Sequence, residues 1–181
     1  MKILQLFTVL VLGVSMVSVA NAQKKKKTTT TRRTTTAAKP TAVVLPPLEV
    51  RAARVKVSNQ LANVSAFVSR LGPIAQNIEA MDADAKARKI KQPSIDANEA
   101  AKKKVIAAIQ GLRTGLVNLE SEFRTKPDLR KYLSSIQGIS DLAAQSETSA
   151  ISGKFVAANS PLRSVEQKLN DTLSRMPIAE L

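Results

Sequence analysis

Between Val105 and Phe123 the apolar side chains Val105, Ile109, Leu112, Leu116, Leu119 and Phe123 follow one another at spacings of four, three, four, three and four. An α-helix turns 100° per residue, so this spacing puts all six on one narrow stripe; a strand would alternate every second residue instead. A stripe this regular is the seam that a bundle or coiled-coil helix presents to its neighbours. A chain carrying it is committed to packing helix against helix.

The flanking sequence repeats the pattern. Val50, Val57, Leu61, Val64, Val68 and Leu71 keep a three-four register if Arg54 takes an exposed or snorkelling slot, and Ala75, Ile78 and Met81 continue it beyond Gly72-Pro73. This predicts one helix from about Leu48 to Asp82, kinked where Pro73 withdraws its N–H. Asp82 to Gln92 has no stripe and carries Lys86, Arg88, Lys89 and Lys91, so it reads as a basic connection. Asp96 and Glu99 stand in the relation of a capping box and predict the second helix start. Lys102, Lys103 and Lys104 fall about 100° apart and form a solvated face rather than a single patch. Gly111 and Gly115, beside the seam, mark a close approach to a neighbour or nothing at all.

Lys126-Pro127 ends that helix, and Thr125 with Asp128 offers a cap for a third, whose stripe is Leu129, Tyr132, Leu133, Ile136, Ile139 and Ala143, with Gly138 a weak point. Gln145 to Ser149 reads as the next turn. Ile151, Phe155, Ala158, Leu162, Val165, Leu169, Leu173 and Met176 predict a fourth helix from about Ala150, kinked at Pro161. The short connections require antiparallel neighbours. The expected fold is all-α: an antiparallel up-down four-helix bundle over residues 48–181, with no strand pattern anywhere. A body of this length buries about two-thirds of its extended-chain surface without needing staples.

The N-terminus reads differently. Residues 1–22 have Lys2, an apolar run from Ile3 to Val19, and a close on Ala20-Asn21-Ala22. That is the form of a signal peptide cleaved after Ala22, giving a secreted or periplasmic product. The competing reading is an uncleaved anchor with a cytoplasmic basic bundle, because the cations downstream of the run outnumber the one before it. Residues 23–47 repeat Thr, Lys and Arg and finish on Pro46-Pro47, a composition with almost nothing to bury, so a disordered linker is expected. Lys24, Lys25, Lys26, Lys27, Arg32, Arg33 and Lys39 lie in it with no acid among them.

The whole chain has 28 Lys plus Arg against 14 Asp plus Glu, and neither Cys nor His. The missing residue types exclude disulfides, thiolate or imidazole metal sites, haem attachment through CxxCH and His-based catalysis. The acids Glu120, Glu122, Asp141 and Glu166 fall beside the seams, where exposed charge is expected, so no catalytic residue, cofactor site or metal site is assigned. Phe67, Phe123, Tyr132 and Phe155 all fall on or next to apolar stripes, which leaves none for stacking on bases and argues against sequence-specific nucleic-acid binding. The expected function is that of a non-enzymatic interaction or structural protein. Its partners would be an anionic polymer or membrane surface, bound without specificity through the seven tail cations by counterion release. The alternative is a carrier or chaperone holding an apolar ligand or client between helices that open at Pro73 and Pro161. No partner protein is indicated.

Overall fold

The computed structural model describes residues 45–178. Among them all regular structure is helical: α1 (Leu48–Lys86), α2 (Gln92–Thr125), a 3-10 turn (Pro127–Tyr132), α3 (Leu133–Ile136), α4 (Ile139–Ile151) and α5 (Phe155–Arg175). The described residues therefore form a helical bundle of five helices, two of them much longer than the rest.

The additional helix arises at Gly138. The third apolar segment was expected to be continuous, but Gly138 takes φ of 88°, a left-handed conformation that ends one helix and redirects the chain into the next. Leu129, Tyr132 and Ile136 thus lie in short pieces before the break, while Ile139 and Ala143 begin α4; all five are buried. Gln145 to Ser149, expected to be a turn, is the middle of α4, because Ser146 and Ala150 continue its buried face. The turn falls at Ser152–Lys154, and Ile151 belongs to the end of α4 and is exposed. The last helix starts at Phe155 rather than near Ala150.

Both internal prolines are accommodated. α1 runs through Pro73 and α5 through Pro161 without a break. The carbonyls that lose a partner belong to Ser69 and Ala157, both at exposed positions open to solvent. Two other boundaries move. α1 extends to Lys86, and α2 begins at Gln92 with Pro93 in its first turn, so Asp96 and Glu99 are internal rather than capping residues.

Polar contacts show how the helices run. On α1, Arg54 donates to the carbonyls of Leu173 and Met176, Ser65 donates to Glu166, and Glu79 accepts from the Val156 N–H. Ascending α1 thus descends α5. Lys56 meets Glu122 and Asn98 meets Ile78 and Asp82, so α1 and α2 are also opposed. Glu120 meets Ser140 while Gln110 and Arg113 meet Glu147, which opposes α2 and α4; Ser146 donates to the Ala158 carbonyl across the α4–α5 turn. The α1–α5 pairing is the most extensive among the described helices.

The core is a single cluster. From α1 it takes Val50, Ala53, Val57, Val64, Val68, Leu71, Ala75 and Ile78; α2 contributes the predicted seam, though Leu112 is only half-buried. Ala53 occupies the stripe where the Arg54 slot was expected. Arg54 lies beside it and uses its guanidinium to close the last carbonyls of α5, at 2.7 Å from Met176 O, a cation placed where the helix dipole is negative.

Two helix ends use one device with different residues. After α4, Gly153 takes φ of 75°, its N–H donates to Ala150 O and the Lys154 N–H to Ser149 O. After α1 the same pair of bonds runs from Arg88 to Ala85 O and from Lys89 to Asp84 O, and here Arg88 holds φ of 55°. A side chain in that conformation costs about 1 kcal/mol relative to glycine.

Candidate functional site

The seven tail cations Lys24, Lys25, Lys26, Lys27, Arg32, Arg33 and Lys39 lie outside the described residues. Within 45–178 there are 20 Lys plus Arg and 13 Asp plus Glu. Much of this charge is neutralised locally: Lys56 and Lys126 share Glu122, Arg113 pairs with Glu147, Arg124 with Glu120, and Lys102 with both Asp82 and Glu99. Burial acts to lower the Lys102 pKa, but hydrogen bonds to Asp82 and Glu99 outweigh it and raise the value above 10.5.

The connection between α1 and α2 is different. Lys86, Arg88, Lys89 and Lys91 are exposed within six residues, and the ion pair among them is Lys89 with Asp84 at 3.9 Å, between two well-solvated side chains. This end also projects. The Val156–Glu79 bond fixes the start of α5 against α1, and α1 continues for another seven residues, about 10 Å of helix axis.

The seam between α1 and α2 is open along its length. Three depressions follow one another: one of 310 Å³ around Lys56, Asn59, Gly115 and Asn118; one of 480 Å³ around Asn63, Phe67, Arg70, Gly111 and Leu112; and one of 230 Å³ at the projecting end. Gln60 joins the first two. A Cβ on Gly115 would lie 2.8 Å from Gln60 Nε2, so one glycine does mark a close approach; at Gly111 there is open space. The last depression is lined by Ile74, Ile78, Met81, Ala97 and Ala101 with Asn77 and Asn98. Met81, the last residue of the first stripe, lies half-buried on this wall, whereas Met176, the last of the fourth, is buried.

Asn98 was not singled out by sequence reasoning, since an Asn beside an apolar stripe reads as surface. It is 4 % exposed, and its amide donates to Ile78 O and to Asp82 Oδ1 at 3.3 and 2.8 Å. Both neighbours accept only, which fixes the amide orientation. The remaining atom, Asn98 Oδ1, is buried without a partner.

Asp141 is exposed as expected, but the other acids depart from expectation. Glu120, expected to be exposed, is 4 % exposed and accepts from the N–H groups of Gly138 and Ser140 at 3.1 Å each and from Ser140 Oγ at 2.7 Å. It caps the N-terminus of α4 from another helix. Burial pushes its pKa up; those donors together with Arg124 prevail and hold it below 4.5. Glu122 is lowered in the same way against burial by Lys126 and Lys56, and Glu147 by Gln110 and Arg113. Glu166 is half-buried beside Ser65. Each of these carboxylates is held by donors of neighbouring elements, which is the situation of a structural acid rather than a proton shuttle. Among the described residues no three Asp or Glu converge as a metal site, and no helix is long and apolar enough to cross a membrane.

The chain matches no protein-family model, no curated protein and no solved structure.

Proposed function

We propose that this is an exported, non-enzymatic interaction or structural protein whose helical body carries a cationic segment onto an anionic envelope polymer or membrane surface. In this reading a signal peptide is removed after Ala22, and residues 48–181 form an antiparallel up-down four-helix bundle in which α3 and α4 together serve as the third arm. The bundle reading is supported by the opposed order of contacts along α1–α5, α1–α2 and α2–α4. Lys24 to Lys27, Arg32, Arg33 and Lys39 supply the densest positive charge, and the body adds to it.

The observation that carries the reading is the distribution of charge. In the body most cations near acids are paired, but the surplus of 20 over 13 remains, and the buried acids Glu120 and Glu147 are each held by donors of neighbouring elements. A surface of this kind attracts polyanions by releasing their counterions, without selecting a sequence.

Binding of the mature chain to heparin and to phosphatidylglycerol vesicles tests it. Affinity falls steeply from low to physiological salt, and deletion of residues 23–39 removes most of it. Undiminished binding by the deleted protein refutes the tail's role. N-terminal sequencing of the expressed product separates the exported form, beginning at Gln23, from an anchored one.

A further inference from the structure

Three features meet at the projecting end of the α1–α2 hairpin. The first is the 230 Å³ depression, whose walls are Ile74, Ile78, Met81, Ala97 and Ala101. The second is Asn98 among its lining residues, nine-tenths buried and more, with Oδ1 left without a hydrogen. An acceptor in that state costs stability unless something donates to it. A lone water finds few polar partners among such walls. The third is charge: between residues 82 and 104 seven cations stand against four acids. Asp82, the acid nearest the depression, is already held by Lys102 at 2.6 Å and by the Asn98 amide; Glu99 is held by Lys102, and Asp96 accepts from Gln92. Lys86 lies five residues beyond Met81, about 8 Å along the axis and within reach of a long side chain.

We propose that this end binds a single-chain anionic amphiphile. Its apolar chain lies in the depression, a hydroxyl or amide hydrogen next to the chain donates to Asn98 Oδ1, and its anionic group meets Lys86, Arg88, Lys89 and Lys91. Each feature asks for one part of such a molecule. The chain conformation points the same way. The Gly153 turn shows how this protein ends a helix without strain, yet the equivalent position after α1 holds Arg88 at φ of 55°. A cation is kept there at the expense of stability, which is how residues retained for binding behave.

The site goes beyond the tail reading and is independent of it, since none of its residues lies before Ile74. The test is a calorimetric titration of the mature chain with lauroyl-lysophosphatidylglycerol kept below its micelle-forming concentration. One saturable site is expected. Ala97→Trp, at an exposed helix position, closes the depression and weakens binding at least about tenfold (about 1.4 kcal/mol) while circular dichroism stays unchanged. Arg88→Gly weakens it several-fold and raises the melting temperature by about 3 °C. Dodecyl sulfate, whose headgroup has no hydrogen to donate, binds several-fold less well. Deleting residues 23–39 leaves the affinity as it was, even where that deletion abolishes heparin binding.

Equal binding by Ala97→Trp overturns the proposal, as does equal affinity for uncharged dodecyl maltoside. Binding that appears only with micelles and disappears with the tail overturns it too, and assigns the effect to polyanion attraction alone. Should Ala97→Trp lose its fold, Lys86→Gln combined with Lys89→Gln at the solvated rim decides the matter: unchanged affinity and salt dependence in that variant are inconsistent with the site.

Discussion

α1 has two neighbours and treats them differently. Against α5 it makes its most extensive pairing, and three polar contacts, from Arg54, Ser65 and Glu79, hold the two helices from one end to the other around a single depression of 330 Å³ at Gly72, Gln76, Asn159 and Arg163. Against α2 it is pinned only near the ends, by Lys56–Glu122 and by the Asn98–Asp82–Lys102 cluster, and between them lie amides, Gly111, Gly115 and Ala108. The same helix is therefore bonded along its whole length on one side and pinned chiefly near its ends on the other.

Truncation should expose the contrast most strongly. Leu162→Ala, fully buried in α5, is expected to cost about 3 kcal/mol by chemical denaturation, whereas Phe67→Ala, half-buried beside the open seam, costs about 1 kcal/mol. Comparable losses would mean that the α1–α2 seam is as tightly packed as the other. Next comes Glu120→Gln, expected to lose about 2 kcal/mol because the Gly138 and Ser140 donors are left poorly satisfied.

Acid sharpens the picture further. Glu120, Glu122 and Glu147 all have folded-state pKa values below 4.5. The unfolded chain then takes up protons first, so their contribution is complete above 4.5 and is lost as pH falls through the lower folded values. A thermal melt at pH 3 should fall well below one at pH 6, and Glu120→Gln should flatten that dependence. The smallest effect belongs to the open seam: Gly111→Ala meets no atom within 4 Å and should raise stability by about 0.8 kcal/mol from helix propensity alone. A loss there would show that the groove is narrower than described.

The core was legible in the sequence because it is written in Leu, Ile and Val at helical spacing, and the stripe from Val105 to Phe123 lies buried apart from half-exposed Leu112. The open seam was not. Asn59, Asn63 and Asn118 read as ordinary solvated positions, and nothing in the chain marks Asn98 as lying at the floor of a depression. The third segment was misjudged because hydrophobic phase survives the Gly138 break, so Ile136 and Ile139 appear to share a helix that the backbone does not form. Glu120 was misplaced for a related reason: its partners are N–H groups exposed by that same break, and a helix start that had not been foreseen could not call for a cap. The tail cations fall outside residues 45–178 and rest on composition alone.

That borrowed cap has a consequence for how the chain acquires its shape. The first turn of α4 is closed by a carboxylate eighteen residues upstream, so a peptide spanning residues 127–151 lacks the group that completes its own beginning. Excised, it should stay largely unstructured in water. In the intact protein, the third arm takes its start from the second, and order passes along the chain in one direction.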